Sequence, residues 1–169
     1  PFNRLVQKID EISEDIEEKK TDAPSRMSID RVFSLKGFGT IVTGTLIEGK
    51  ISVDDEMTIY PSEKKVKVRN LQVHGCDVKT AYAGQRTAIN LSNIKVSEIQ
   101  RGDVIAQTGS VEESMMIDVN ISLVEHCKKS LKHWDRIRIF HGTKQILCRI
   151  VPLNEDEIQY GESGYAQLR

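Results

Sequence analysis

Apolar side chains near the N-terminus follow a helical period, whereas most of the remaining chain follows a β-type alternation. The N-terminal apolar positions recur at spacings of four, three and four, which places them on one helix face. They are Leu5, Ile9, Ile12 and Ile16. The pattern predicts a helix over residues 4–20. The helix is expected to end before Pro24, because a proline disfavours helical geometry at the residue that precedes it.

From Met27 onward, short runs of alternating apolar and polar residues predict β-strands. The apolar positions change parity between Val68 and Leu71, so a β-bulge is expected near Arg69-Asn70. Glycine-containing turns separate the strands at residues 36–39, 48–50, 83–85 and 101–103. Short strands at this pitch are typical of a small β-barrel.

A polar segment over residues 107–113 lacks apolar periodicity and predicts a domain boundary. A second β unit of about four or five strands follows, with a hairpin turn at His141-Gly-Thr143. A sheet this small needs a partner to bury its inner face. The chain is therefore expected to be mainly β, with one helical segment over residues 1–24 and two β units over residues 25–110 and 111–169.

Composition favours a cytoplasmic protein. The chain has no run of about 18 apolar residues, so no membrane span and no membrane partner are expected. The three cysteines, Cys76, Cys127 and Cys148, lack the spacing of a disulfide framework and fit a reducing compartment. The net charge is only −1, but Lys and Arg are concentrated in two regions.

The glycine-rich segment over residues 36–40 does not have the pattern of a nucleotide-binding loop. A P-loop needs a Lys after its last Gly, and a dinucleotide fingerprint needs a third Gly where Val42 stands. We therefore expect a hairpin turn in which Gly37 and Gly39 adopt positive φ. No cofactor is expected in the chain itself.

Metal binding and catalysis are not expected either. His74 with Cys76 and His126 with Cys127 lie close in sequence, but their spacings do not match zinc-binding patterns. No further residue marks a Cys–His nucleophile. The sequence thus predicts no metal ligands and no catalytic residues, and the chain is not expected to be an enzyme.

Two groups of basic residues are candidates for contact with an RNA backbone. The first unit contributes Lys64, Lys65, Lys67 and Arg69, and the second contributes Lys128, Lys129, Arg136 and Arg138. A solvated surface is the usual explanation of such patterns, and tracking of a phosphate backbone is the alternative. No motif for base-specific RNA recognition accompanies them.

One long motif resembles the first strands of the second domain of translational GTPases. It is the run Ser28-Ile-Asp-Arg-Val-Phe-Ser-Leu-Lys-Gly-Phe-Gly-Thr-Ile-Val-Thr-Gly-Thr45. Ala83–Arg86 and Ile99–Ala106 are similar to later strands of that domain. The segment Ile29–Arg31, Arg86 and the segment Leu131–Arg169 narrow the resemblance to the selenocysteine-specific elongation factor family (SelB).

The resemblance implies two consecutive β-barrels, which correspond to the second domain and an incomplete third domain of that family. The helical segment over residues 1–24 would link them to a GTPase domain that holds GTP and Mg²⁺ and is absent from this chain. The implied partners are selenocysteinyl-tRNA, the ribosome, that GTPase domain and a C-terminal region that binds an mRNA hairpin. The implied function is GTP-dependent delivery of selenocysteinyl-tRNA for incorporation at UGA codons.

In that family the residues that match Asp30, Arg31 and Arg86 line the selenocysteine pocket. A selenol is more acidic than a thiol, whose pKa is about 8.5, so selenocysteine is an anion at neutral pH and two guanidinium groups would favour it over serine. Asp30 would accept the α-amino group. Because adjacent strand residues point to opposite faces, Asp30 and Arg31 can enter one pocket only if the strand twists or bulges.

Other interpretations remain open from the sequence. Arg31 and Arg86 could form a surface ion pair with Asp30, which would contribute little stability. The barrels could belong to an elongation factor Tu-like protein or an initiation factor, or serve as a non-catalytic interaction module. A hydrolytic enzyme that uses the His and Cys residues is the least favoured alternative.

Overall fold

The computed structural model describes residues 2–14, 16, 19–127 and 129–169 of the chain. In these residues, helix α1 (Phe2–Glu14) precedes a series of β-strands, and one 3-10 turn (Val96–Glu98) follows the eighth strand. The strands are β1 (Arg26–Leu35), β2 (Gly39–Glu48), β3 (Lys50–Ser52), β4 (Glu56–Tyr60), β5 (Lys64–Val73), β6 (Cys76–Val78), β7 (Thr80–Tyr82), β8 (Arg86–Ser92), β9 (Val104–Gln107), β10 (Ile117–Ser122), β11 (Leu131–Lys132), β12 (Arg136–His141), β13 (Lys144–Pro152), β14 (Glu157–Ile158) and β15 (Ser163–Leu168). The mainly β fold with one N-terminal helix confirms the predicted fold class.

The predicted helix over residues 4–20 is wrong at its C-terminal end. Helix α1 stops at Glu14, and Ile16 lies outside it; residues 15, 17 and 18 lie outside the described part of the chain. The Ser13 hydroxyl donates to the Asp10 carbonyl oxygen at 2.8 Å, which competes with the helical hydrogen-bond pattern. The apolar side chains of α1 are exposed. No helix in the described ranges is long and apolar enough to cross a membrane.

Six strands of the first unit form a closed barrel. Their hydrogen-bonded order is β4-β9-β1-β2-β8-β5, and β5 pairs with β4, so the sheet closes on itself. Its interior consists mainly of aliphatic side chains with no exposed surface. They include Met27, Ile29, Val42, Leu46, Ile59, Val68, Leu71, Ile89 and Ile105. Burial of these side chains is the main source of the barrel's stability.

The β-bulge predicted near Arg69-Asn70 is present. The register between β5 and β8 shifts between Val68 and Asn70, which makes Arg69 the extra residue. Val68 and Leu71 therefore both point into the core despite their opposite parity. The predicted turn is also confirmed, since Gly37 and Gly39 have φ values of +87° and +86°.

The second unit is an open sheet. Strands β10-β15-β13-β12 form a four-stranded sheet, and β11 pairs with β14. The described residues contain six strands here rather than four or five, because β11 and β14 are only two residues long and carry no visible alternation. Strands β12 and β13 form the predicted hairpin around Gly142-Thr143. The small core contains Cys148, Ile150, Ile158, Ala166 and Leu168.

Candidate functional site

A β-bulge in β1 places Asp30 at the centre of a polar site on the first barrel. Ile29 lies opposite Gly44 of β2, and Arg31 lies opposite Thr43, so Asp30 is the extra residue on β1. The Thr43 hydroxyl donates to Asp30 Oδ1 at 2.7 Å. The bulge breaks the strict alternation of side chains on β1, so the geometric objection to a shared site for Asp30 and Arg31 does not apply.

The guanidinium group of Arg86 binds the same carboxylate. Arg86 begins β8, and β2 lies between β8 and β1. Its Nη1 atom donates to Asp30 Oδ2, and its Nη2 atom donates to Asp30 Oδ1 at 3.1 Å. The side chain of Arg86 is 54% exposed, whereas that of Asp30 is 19% exposed. The ion pair that the sequence left open as an alternative is therefore present for Arg86.

Three neighbours set the protonation of Asp30. Partial burial by itself raises the pKa of the Asp30 carboxyl. The hydrogen bonds from Arg86 and Thr43, together with the positive charges of Arg86 and Arg31, outweigh this effect and hold the pKa below its ordinary value. The hydrogen bond to Asp30 in turn raises the pKa of the Arg86 guanidinium. Asp30 is thus an anion at neutral pH.

Arg31 provides the second positive charge at this site. Its side chain is exposed, and its charge contributes to the lowered pKa of Asp30. Within the described residues, Arg31 forms no ion pair with a carboxylate. Its guanidinium donors are therefore available to a ligand, in contrast to those donors of Arg86 that bind Asp30.

A cleft of about 260 Å³ lies beside Arg86. Its lining includes Thr43, Gln72 and His74 in addition to Arg86. The sequence analysis considered His74 as a zinc ligand or as part of a Cys–His nucleophile and favoured neither role, so its position beside the guanidinium group was missed. No signal in the sequence links the turn between β5 and β6 to the start of β8.

A smaller and more apolar cavity of about 100 Å³ adjoins this cleft and shares Gln72 with it. Leu35, Phe38 and Ile41 supply its apolar wall. The buried Asn90 Nδ2 atom donates to the Phe38 carbonyl oxygen at 2.9 Å, while Asn90 Oδ1 has no hydrogen-bond partner among the described residues. Ala88 also lines both cavities, so they lie side by side on the barrel.

In the first unit, some of the basic residues predicted to contact RNA are paired with carboxylates and others are not. Lys64 forms an ion pair with Glu98, and Lys67 forms one with Asp54 at 2.8 Å. Lys65 and Arg69 are exposed. Two of the four cations on β5 are thus already paired with carboxylates.

In the second unit, Arg136 and Arg138 lie exposed on β12, and Lys129 is also exposed. Lys128 lies outside the described residues. Arg136 and Arg138 share one parity of β12, opposite to that of the partly buried Ile137 and Ile139. These two arginines therefore present a positive strip on the outer face of the sheet.

The described part of the chain holds no group of three His, Cys, Asp or Glu side chains that could bind a metal ion. The cysteines at positions 76, 127 and 148 are free. Burial raises the pKa of the Cys148 thiol, so this side chain belongs to the core of the second unit rather than to a reactive site.

The first barrel matches the family model for elongation factor Tu domain 2 over residues 39–106. The chain is 40% identical to a selenocysteine-specific elongation factor of Desulfomicrobium baculatum over 144 residues, which are 85% of this chain and 23% of that protein. It is 31% identical to a protein of the same name from Methanocaldococcus jannaschii over 136 residues, which are 79% of this chain and 29% of that protein.

The fold is also similar to a solved structure. The crystal structure of a bacterial selenocysteine-specific elongation factor, EF-Sec, superposes with a TM-score of 0.83 at 27% sequence identity. The superposition covers 99% of this chain and 26% of that protein. The chain therefore spans about a quarter of the length of these similar proteins.

Proposed function

Over its two β units the chain belongs to the selenocysteine-specific elongation factors, and we propose that it is the tRNA-binding part of such a factor. The complete protein would deliver selenocysteinyl-tRNA to the ribosome in the cytoplasm, in a GTP-dependent way, for incorporation at UGA codons. GTP and Mg²⁺ would be held by a GTPase domain, and this chain would bind without catalysis. The arrangement of Asp30, Arg31 and Arg86 is the observation that supports this proposal most directly.

The ion pair with Asp30 leaves Arg86 able to bind a second anion. A guanidinium group has five N–H donors, and the carboxylate of Asp30 occupies two of them. The remaining donors of Arg86 and those of Arg31 are available for a selenolate. In this arrangement Asp30 fixes the orientation of the Arg86 guanidinium, so less side-chain entropy is lost when the ligand binds.

The charge of the ligand would provide the selectivity. Selenocysteine is anionic at neutral pH, whereas the hydroxyl group of serine is neutral. Hydrogen bonds to charged groups contribute about 1.5–3 kcal/mol each, more than hydrogen bonds between neutral groups. A seryl-tRNA would leave the two guanidinium groups without an anionic ligand, so the same site would disfavour it.

Besides orienting Arg86, Asp30 would bind the α-amino group of the amino acid. The aminoacyl ester of a tRNA carries a free α-ammonium group, which a carboxylate can accept as a charged hydrogen-bond donor. Asp30 is anionic and about one-fifth exposed, so it can approach such a group. The site would then bind both charges of the amino acid.

The exposed basic residues would contact the tRNA body. Lys65 and Arg69 on the first barrel and Arg136 and Arg138 on the second unit are suited to phosphate groups. Such contacts provide affinity that depends on salt and not on base sequence. In this proposal the first barrel holds the aminoacyl end, and the second unit contacts the acceptor and T stems.

Competition between selenocysteinyl-tRNA and seryl-tRNA for the full-length protein with GTP would test the proposal. The double variant Arg31→Ala, Arg86→Ala should lose at least tenfold in the ratio of the two affinities, because about 1.4 kcal/mol corresponds to a factor of ten. The double variant Lys65→Ala, Arg69→Ala also removes two cations, but it should lower the affinity for both tRNAs by the same factor. Unchanged selectivity in the first variant would overturn the assignment of the pocket.

A further inference from the structure

The turn between β12 and β13 reaches the first barrel at the residue that precedes Asp30. The Thr143 hydroxyl donates to the Ile29 carbonyl oxygen at 2.6 Å. The Gly102 N–H donates to the same oxygen at 2.8 Å, and the Ile29 N–H donates to the Asp103 carbonyl oxygen at 2.8 Å. Both lone pairs of the Ile29 carbonyl oxygen are therefore used, one by each β unit.

This hydrogen bond lies directly beside the bulge. Asp30 is the unpaired residue between Ile29 and Arg31. The Ile29 carbonyl group and the Asp30 nitrogen belong to the same peptide group. The orientation of that peptide plane, together with the φ angle of Asp30, sets the direction in which the Asp30 side chain leaves β1. Any group that holds the Ile29 carbonyl oxygen thus also restrains the carboxylate that binds Thr43 and Arg86.

The turn packs tightly against the barrel. A Cβ atom at Gly142 would lie 2.5 Å from the Ser28 hydroxyl oxygen, and one at Gly102 would lie 2.7 Å from Lys144 Cβ. Both glycines also have positive φ, +57° and +95° respectively. Two glycines, one from each unit, therefore permit the close approach that brings Thr143 within hydrogen-bond distance of Ile29.

We propose that Thr143 is a positioning residue for the aminoacyl site, in which its hydroxyl holds the Ile29 carbonyl and so fixes the bulge that presents Asp30 to Thr43 and Arg86. The second unit then determines the shape of the site on the first barrel in addition to contacting tRNA. The effect on amino-acid selectivity rests on the proposed function. The structural coupling between Thr143 and Asp30 does not.

The coupling is tested first without tRNA, by NMR on the 169-residue chain. Thr143→Val and Thr143→Ala both remove the hydroxyl, and Thr143→Ser retains it. The carbon-13 signal of the Asp30 carboxyl group reports its pKa, which should rise toward the ordinary value in the Val and Ala variants and stay low in the Ser variant. An unchanged Asp30 titration in the Val and Ala variants, or the same change in all three, would overturn the proposal.

The consequence for binding is tested with the same variants in the full-length protein with GTP. Thr143→Val should lower the ratio of affinities for selenocysteinyl-tRNA and seryl-tRNA about fivefold, the change expected from the loss of one ordinary hydrogen bond. Thr143→Ser should restore the ratio. An equal loss for both tRNAs would indicate a merely structural role and would overturn the proposal.

The two measurements separate failure of this inference from failure of the proposed function. If the wild-type protein does not distinguish the two tRNAs, the proposed function fails, and the NMR titration alone decides whether Thr143 positions Asp30. If the wild type distinguishes them but Thr143→Val keeps both the Asp30 titration and the selectivity, this inference alone fails.

Discussion

Asp30 and Arg86 are separated by 56 residues in sequence, and their side chains form a two-pronged ion pair across the intervening strand β2. Thr43, on that strand, donates to the same carboxylate. The most exposed group of the three is the guanidinium of Arg86. A ligand approaching from solvent therefore meets a positive group whose orientation is already fixed by a negative one beneath it.

If Asp30 accepts the α-ammonium group, its contribution should depend on that group being free. We expect Asp30→Asn to lower the affinity for selenocysteinyl-tRNA about tenfold, because a charge-assisted hydrogen bond is lost. With N-acetylated selenocysteinyl-tRNA the same substitution should change the affinity by about twofold at most. Equilibrium binding of the four combinations gives the coupling directly. Equal losses for both tRNAs would mean that Asp30 acts only through Arg86.

The lowered pKa of Asp30 predicts a specific dependence of stability on pH. The folded pKa lies below the unfolded value of about 3.9, so the ionised carboxylate stabilises the fold above about pH 4, and this contribution is lost as the pH falls through the folded pKa. The difference in unfolding free energy between wild type and Asp30→Asn should therefore shrink below pH 4. Because Arg86 is half exposed, the difference at pH 7 should be about 1 kcal/mol at most.

Urea unfolding of the chain between pH 3 and pH 7 measures this difference. Arg86→Ala is the matched variant, since the hydrogen bond from Arg86 is the strongest influence that lowers the pKa of Asp30. It should remove most of the same pH dependence while leaving the carboxylate in place. A difference between wild type and Asp30→Asn that stays constant over this range would contradict the assigned ionisation.

The barrel was predictable because the alternating apolar positions and the turn residues that indicate it lie within short stretches of sequence. The parity change between Val68 and Leu71 is visible in the amino-acid sequence, and the structure places a bulge between these residues. The bulge at Asp30 leaves no such trace. Ile29, Phe33 and Leu35 keep one parity across it, so the shift that leaves Asp30 as the extra residue becomes visible only when the partners on β2 are known.

The parts of the site that sequence reasoning missed depend on contacts between distant segments. Thr143 is 114 residues from Ile29, and its hydrogen bond exists because the turn between β12 and β13 contacts β1. His74 reaches the cleft beside Arg86 because β5 pairs with β8. Alternation assigns a residue to a face of its own sheet, but it does not say what approaches that face.

The positive strip on β12 should contribute affinity without selectivity. Removing both cations with Arg136→Ala and Arg138→Ala should weaken the binding of selenocysteinyl-tRNA and of seryl-tRNA by the same factor. It should also lower the slope of log affinity against log salt by about 1.5, since each phosphate contact contributes about 0.7–0.9. Titrations of the full-length protein between 50 and 300 mM salt, roughly the range in which this dependence is measurable, give the slope.

The control for the double arginine variant removes an ion pair whose net charge is already zero. Lys67 is bound to Asp54 at 2.8 Å, so the double variant Lys67→Ala, Asp54→Ala leaves the net charge unchanged. Its salt slope should match that of the wild type. If the arginine variant also keeps the wild-type slope, β12 does not contact the tRNA backbone.

Two glycines of the first barrel should respond differently to alanine, and the difference tests how tightly the bulge is packed. Gly44 lies opposite Ile29, and a Cβ atom there would meet the Ser28 carbonyl oxygen and lie 2.9 Å from Met27 Cγ. A Cβ atom at Gly37 would have open space around it, but the φ of Gly37 is +87°. Overpacking at Gly44 should destabilise the fold by about 2–3 kcal/mol, whereas the left-handed backbone at Gly37 should account for about 1–2 kcal/mol.

The same pair separates general stability from the geometry of the site. Gly44→Ala must displace β1 next to the bulge, so it should also raise the pKa of the Asp30 carboxyl toward its ordinary value. Gly37→Ala lies in the turn between β1 and β2, away from the bulge, and should leave that pKa low. Urea unfolding and the carbon-13 titration of Asp30 measure the two effects. If Gly44→Ala is destabilised while Asp30 titrates as in the wild type, close packing of β1 against β2 supports the barrel but does not position the carboxylate.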